Sequence, residues 1–136
     1  MRCWWWPCWQ RPGWPDEIAT IVTAIGNHDE GTAEAVNPIA AALILGDKTD
    51  VRRSRVRNHD ITSFDIHDRV NCSVKKATTK INDDHTAVEL KLTIDTEYFS
   101  AMEYFEIFLA RMLLCRKAAA KLGLEFHVYI NGLKLV

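Results

Sequence analysis

Apolar residues recur at helical spacing in "PDEIATIVTAIG", where Ile18, Ile21, Val22 and Ile25 share one face, Pro15 and Asp16 open the first turn, and Gly26 closes the last. The pattern predicts a short core helix. "NHDEGTAEAVN" follows as a polar loop. Pro38 then opens a second helix, with Ile39, Ala42, Leu43 and the Leu45–Gly46 segment expected deep in the core, and with nothing in the pattern to stop it before the arginines that follow. "TSFDIHDRVNCSV" reads as a third helix, capped by Thr62 or Ser63 and packing through Phe64, Ile66, Val70 and Val74.

Beyond residue 76 the period changes from helical to alternating. In "HTAVELKLTID" the residues Val88, Leu90, Leu92 and Ile94 face one way and Glu89, Lys91 and Thr93 the other, as in a half-buried strand. "ATTKI", joined to it through "NDDH", is its expected hairpin partner. The longest helix, "SAMEYFEIFLARMLLCRKAAAKLG", starts from a Ser100 cap with Glu103 three residues on and stops at Gly123. Its expected core stripe is Met102, Phe105, Leu109, Met112, Leu113 and Ala120. "LEFHVYI" alternates again, and Asn131-Gly132 turns the chain into "LKLV". The fold class is α+β: a helical segment over residues 16–76, then a small antiparallel sheet of hairpin, long helix and strand over residues 77–136.

All five tryptophans fall within "MRCWWWPCWQRPGWP". Prolines at positions 7, 12 and 15 preclude a regular helix, and no uninterrupted apolar run marks a signal peptide. Residues 1–15 are read as a non-native or disordered leader, such as a start in a shifted reading frame; an interfacial Trp/Arg anchor is the alternative. A formal net charge of −1 argues against an extended nucleic-acid track, although Arg52, Arg53, Arg55 and Arg57 concentrate positive charge for one anionic ligand. Cys3, Cys8, Cys72 and Cys115 form no CxxC pair, so neither a zinc site nor a disulfide framework is expected, and the compartment is read as the cytoplasm. No apolar stretch reaches the ~18–20 residues of a membrane span.

The chemistry-bearing residues cluster where apolar helices meet polar segments. Three histidines precede an aspartate, at His28-Asp29, His59-Asp60 and His67-Asp68. Imidazole and carboxylate together suit divalent ions, while a cap with a surface charge is the other reading of each pair. His28 just after the first helix and Asp47 at the end of "AALILGD" stand out as metal-ligand candidates. Two protein ligands fall short of the ~four to six donor atoms that a divalent ion needs. For the run "GDKTDVRRSRVRN" the alternative is a solvated, salt-bridged continuation of the helix. Cys72 and Cys115 read as buried thiols, His85 and His127 as surface residues, and His67-Asp68 as part of a charged helix face.

"AIGNHDEG", "PIAAALILGDKTDVRRSRVRN", "FDIHDRVNCSV" and "TIDTEYFSAMEYFEIFLARMLLCRKAAAKLG" together resemble the later part of HD-superfamily metal-dependent phosphohydrolases that carry an appended α+β region. The likeness spans roughly residues 16–136 and is most specific over 41–57. It implies a divalent ion (Mn, Fe or Mg) held in a helical bundle, with Asp47 matching the late aspartate and His28 the additional histidine of two-metal members. Lys48, Arg52, Arg53 and Arg55 would then face the phosphate of a phosphorylated small molecule. The family's early His and defining His-Asp pair have no counterpart, so the resemblance implies a truncated, catalytically incomplete form with weak or absent metal.

Two functions are therefore expected to compete. One is the metal-dependent phosphohydrolase; the other is a non-catalytic module that pairs with a second copy through an exposed sheet edge or senses an anion through its arginines.

Overall fold

The side chain of Asn37 decides where the second helix begins. Its backbone is extended (φ −143°, ψ 168°), and its Oδ1 accepts a hydrogen bond from Ala40 N at 2.7 Å, satisfying one of the amides orphaned at a helix start. Pro38, already near helical φ and lacking an N–H, occupies the first turn. The computed structural model of the chain describes residues 14–29, 33–56, 66–95 and 101–135. Along it run α1 (Trp14–Gly26), α2 (Pro38–Lys48), α3 (Ile66–Ser73), β1 (Val74–Ile81), β2 (Ala87–Ile94), α4 (Ala101–Lys121), β3 (Glu125–Ile130) and β4 (Leu133–Lys134).

The α+β class is as expected: helices pack against a four-stranded sheet of order β1-β2-β3-β4. Its sense is not uniformly antiparallel. β1 and β2 form the expected hairpin, whose turn is held by Asn82 Oδ1 accepting from the amides of Thr86 (2.8 Å) and Ala87 (2.9 Å). β2 and β3 are parallel, with Val88 opposite Phe126 and Leu90 opposite Val128. The 21-residue α4 lies between them and carries the chain back along the sheet, so β3 starts at the same end as β2, as a helical crossover requires. β3 and β4 are antiparallel, joined at Asn131 (φ 49°) and Gly132 (φ 86°), the paired left-handed conformations of a tight hairpin turn. Asn131 Oδ1 also accepts from Ile94 N at 2.8 Å and pins this turn to the end of β2.

One face of the sheet supplies Val88, Leu90, Leu92, Phe126 and Val128 to the core. Phe108, Met112, Cys115, Ala118 and Ala119 of α4 cover it, together with Ala41, Ile44 and Leu45 of α2. The buried cluster thus runs from α2 to β3, across residue 76 where the sequence pattern changes period.

The buried faces of three helices differ from expectation. Ile21, Val22 and Ile25 of α1 are half or more exposed, while Ala24 is buried on this helix, which packs against α2. In α2 the buried positions are Ala40, Ala41, Ile44 and Leu45, while Ile39 and Ala42 are exposed. In α4, Met112 is buried as expected, but Phe105 (46%), Leu109 (58%), Leu113 (42%) and Ala120 are exposed. That helix has two apolar stripes. The one containing Cys115, Ala118 and Ala119 is narrow enough for the sheet and α2 to approach together.

α2 also ends at Lys48 instead of running through the arginines. Thr49 Oγ1 donates to Leu45 O at 2.7 Å, and the fully buried Val51 draws the chain inward before a 3-10 turn at Arg53–Arg55. α3 passes directly into β1 at Ser73, whose carbonyl accepts from Asp95 N at 2.8 Å, so the strand begins three residues earlier than "ATTKI" suggests. Residues 1–13, the expected caps Thr62, Ser63 and Ser100, and His59-Asp60 lie outside the described residues, as do the side chains of Met102, His67 and Arg69. No helix among the described residues is long and apolar enough to cross a membrane.

Two predictions follow from this packing. Leu90→Ala should lower unfolding free energy by about 2–5 kcal/mol in urea melts, whereas Leu109→Ala should stay within about 0.5 kcal/mol. The reverse order would restore the stripe expected from spacing. On the open face of the sheet, the hydrogen bond from Lys91 and its charge hold the Glu89 carboxyl below its ordinary 4.5. A lowered folded-state value stabilises above the ordinary carboxylate range and is lost as pH falls through the folded value. Glu89→Gln should therefore be less stable than the parent chain at neutral pH, with the difference vanishing in acid; a constant difference in melts across that range would refute the assignment.

Candidate functional site

The ends of α1 and α2 converge on one ammonium group. Lys48, in the last turn of α2, is favoured there by the partial negative charge of the helix C-terminus, yet its side chain is only 9% exposed. A cation so enclosed needs carboxylates. Its Nζ lies 2.9 Å from Asp47 Oδ2 and 3.7 Å from Asp29 Oδ1, so it bridges the loop after α1 to the end of α2.

His28 stands beside Asp29 and caps α1. Its Nδ1 lies 2.5 Å from the carbonyl oxygen of Ile25. A carbonyl only accepts, so this nitrogen is the donor, and in the neutral ring Nε2 would keep its lone pair. Histidine ligands of metals are commonly held this way, with one ring nitrogen donating to a backbone carbonyl and the other turned to the ion. Asn27 Nδ2 donates to Thr23 O at 2.8 Å and fixes the same helix end.

His28, Asp29 and Asp47 offer one imidazole and two carboxylates around this end of the molecule. Among the described residues no group of three or more His, Cys, Asp or Glu is placed to hold a metal ion. The ammonium of Lys48 sits at the carboxylates where a divalent ion would have to bind. The described residues therefore do not by themselves complete a divalent site.

Three of the four expected phosphate contacts are described, each with a different protein partner. Lys48 is committed to the two aspartates. Arg52 Nε donates to Asp50 Oδ1 at 2.5 Å, and that hydrogen bond, reinforced by the Asp50 charge, pushes the guanidinium pKa up. Arg53 Nε donates to Cys72 O at 2.8 Å, tying the 3-10 turn to α3. The Arg55 side chain lies outside the described residues. Asp29, passed over in favour of His28, is the member that the sequence reading missed; its adjacency in "NHDEG" was the available signal.

Asp47→Ala should cost about 1–3 kcal/mol in denaturant melts, because it strips an enclosed ammonium of a carboxylate 2.9 Å away. Asp29→Ala, at a longer and exposed contact, should cost less than about 0.5 kcal/mol. Equal costs would show that Lys48 does not discriminate between them. Comparison with family models, curated proteins and solved structures gives no match to this chain.

Proposed function

We propose that this chain is the α+β-bearing portion of an HD-type metal-dependent phosphohydrolase acting on phosphorylated small molecules. In this reading the ends of α1 and α2 form one wall of its site. The observation that carries the reading is the Lys48 bridge, which gathers Asp29 and Asp47 at the helix end where His28 is held by its Nδ1 hydrogen bond. Asp47 and His28 would contribute ligands for Mn, Fe or Mg, and the ion would supply an activated water. Lys48 would face substrate phosphate. The remaining ligands would come from a second chain or from residues outside the described ones.

The second reading, a non-catalytic oligomerisation or anion-sensing module, is favoured by the exposed apolar residues Ile21, Val22 and Ile25 on α1. Apolar side chains grouped on one helix face mark a surface that a partner buries.

Calorimetric titration with manganese separates the two. Under the phosphohydrolase reading the chain gives weak heats that Asp47→Ala abolishes, and Lys48→Met strengthens them about tenfold by removing the competing cation. Heats unchanged by Asp47→Ala, or no heats at all, remove Asp47 from metal binding. A monomer–dimer equilibrium weakened by Val22→Glu in sedimentation would then support the module.

A further inference from the structure

A recess of about 580 Å³ opens between α2 and the edge strand β1. Its α2 wall is built from Ala42, Leu45 and Gly46, one face of the helix at three- and four-residue spacing, and Asp47 is not on that face. Ile81 of β1 and Leu124 after α4 add to the apolar lining.

Gly46 borders this space. A Cβ added there would meet nothing within 4 Å, so the helix surface at this position faces open space and packing does not demand a glycine. The volume of the recess falls within the ~300–1,000 Å³ of small-molecule sites.

Charge at the rim selects the occupant. Arg52, Lys80 and Asp50 line the recess along with the apolar residues. Asp50 engages Arg52 through Nε, and the two Nη nitrogens of the guanidinium carry its other donors. The Lys80 ammonium has Glu89 only at 3.8 Å, and that carboxylate is held more closely by Lys91 at 2.9 Å. Two cations against one acid favour an anion over an apolar slot. A bound peptide strand is disfavoured, because Lys75, Lys76 and Lys80 guard the β1 edge.

We propose that this recess binds a medium-chain acyl carboxylate, with its chain along Ala42, Gly46 and Ile81 and its carboxylate at Arg52. The site is separate from the helix-end cluster and does not depend on the metal reading.

Amide NMR titration of the full chain with hexanoate, octanoate and decanoate, kept below micelle formation, tests it. Shifts should centre on Ala42, Gly46, Ile81 and Leu124, with Kd tightening about two- to fourfold per methylene. Decanol should bind at least about fivefold more weakly than decanoate, and Arg52→Gln should lose a similar factor. Gly46→Leu should fill the slot and abolish binding while the circular dichroism melt stays cooperative. If that variant does not fold, Thr79→Glu, at an exposed position of the lining, should weaken decanoate binding by repulsion. Shifts elsewhere, decanol binding as tightly as decanoate, or parental affinity in folded Gly46→Leu or in Thr79→Glu would overturn the proposal.

Discussion

Ala41, Ile44 and Leu45 of α2 are buried in the same cluster as Cys115, Ala118 and Ala119 of α4, and this contact is the constraint on which the remaining structure depends. Small residues on α4 let a second helix approach closely while larger neighbours, Phe108 and Met112, still fill the space above β2 and β3. α2 thereby becomes part of the sheet's covering layer. Its C-terminal end, with Asp47 and Lys48, is held in place by this packing. The recess beside β1 depends on the same placement, because α2 supplies one of its walls.

Electrostatics then fixes what packing leaves open. α1 has a modest buried contact of its own, with Ala24 as its enclosed residue. The Lys48 bridge to Asp29 ties the segment after α1 to α2, and the hydrogen bonds of His28 and Asn27 keep that helix end from fraying. One lysine therefore links local helix capping to tertiary placement. It also sets the local charge: an enclosed ammonium offsets the two carboxylates gathered at this end of the molecule.

Much of the fold was legible in the sequence where one physical signal acted alone. The alternation through Val88, Leu90 and Leu92 marks β2, Asn131-Gly132 marks the last turn, and Pro38 marks the start of α2. The failures arose where two signals competed. α4 is apolar on two faces, and choosing Phe108 over Leu109 requires knowing that α2 arrives beside Ala118. The parallel sense of β2 and β3 depends on where the crossover helix returns, which strand alternation does not encode. The arginine run looked continuous with α2, but the Thr49 hydrogen bond and the burial of Val51 end the helix first. At the candidate site, His28 and Asp47 were visible as helix-end residues. The role of Asp29 was not, because a dipeptide does not show which of its members meets a distant lysine.

α2 shares one buried cluster with the sheet and so belongs to its cooperative core. Native-state hydrogen exchange tests this by comparing the amides of Ile44 and Leu45 with those of Leu90 and Leu92. Both sets should exchange only through the same global opening, with equal free energies and equal dependence on denaturant. Exchange of the α2 amides through a lower-energy opening, while β2 remains protected, would contradict it.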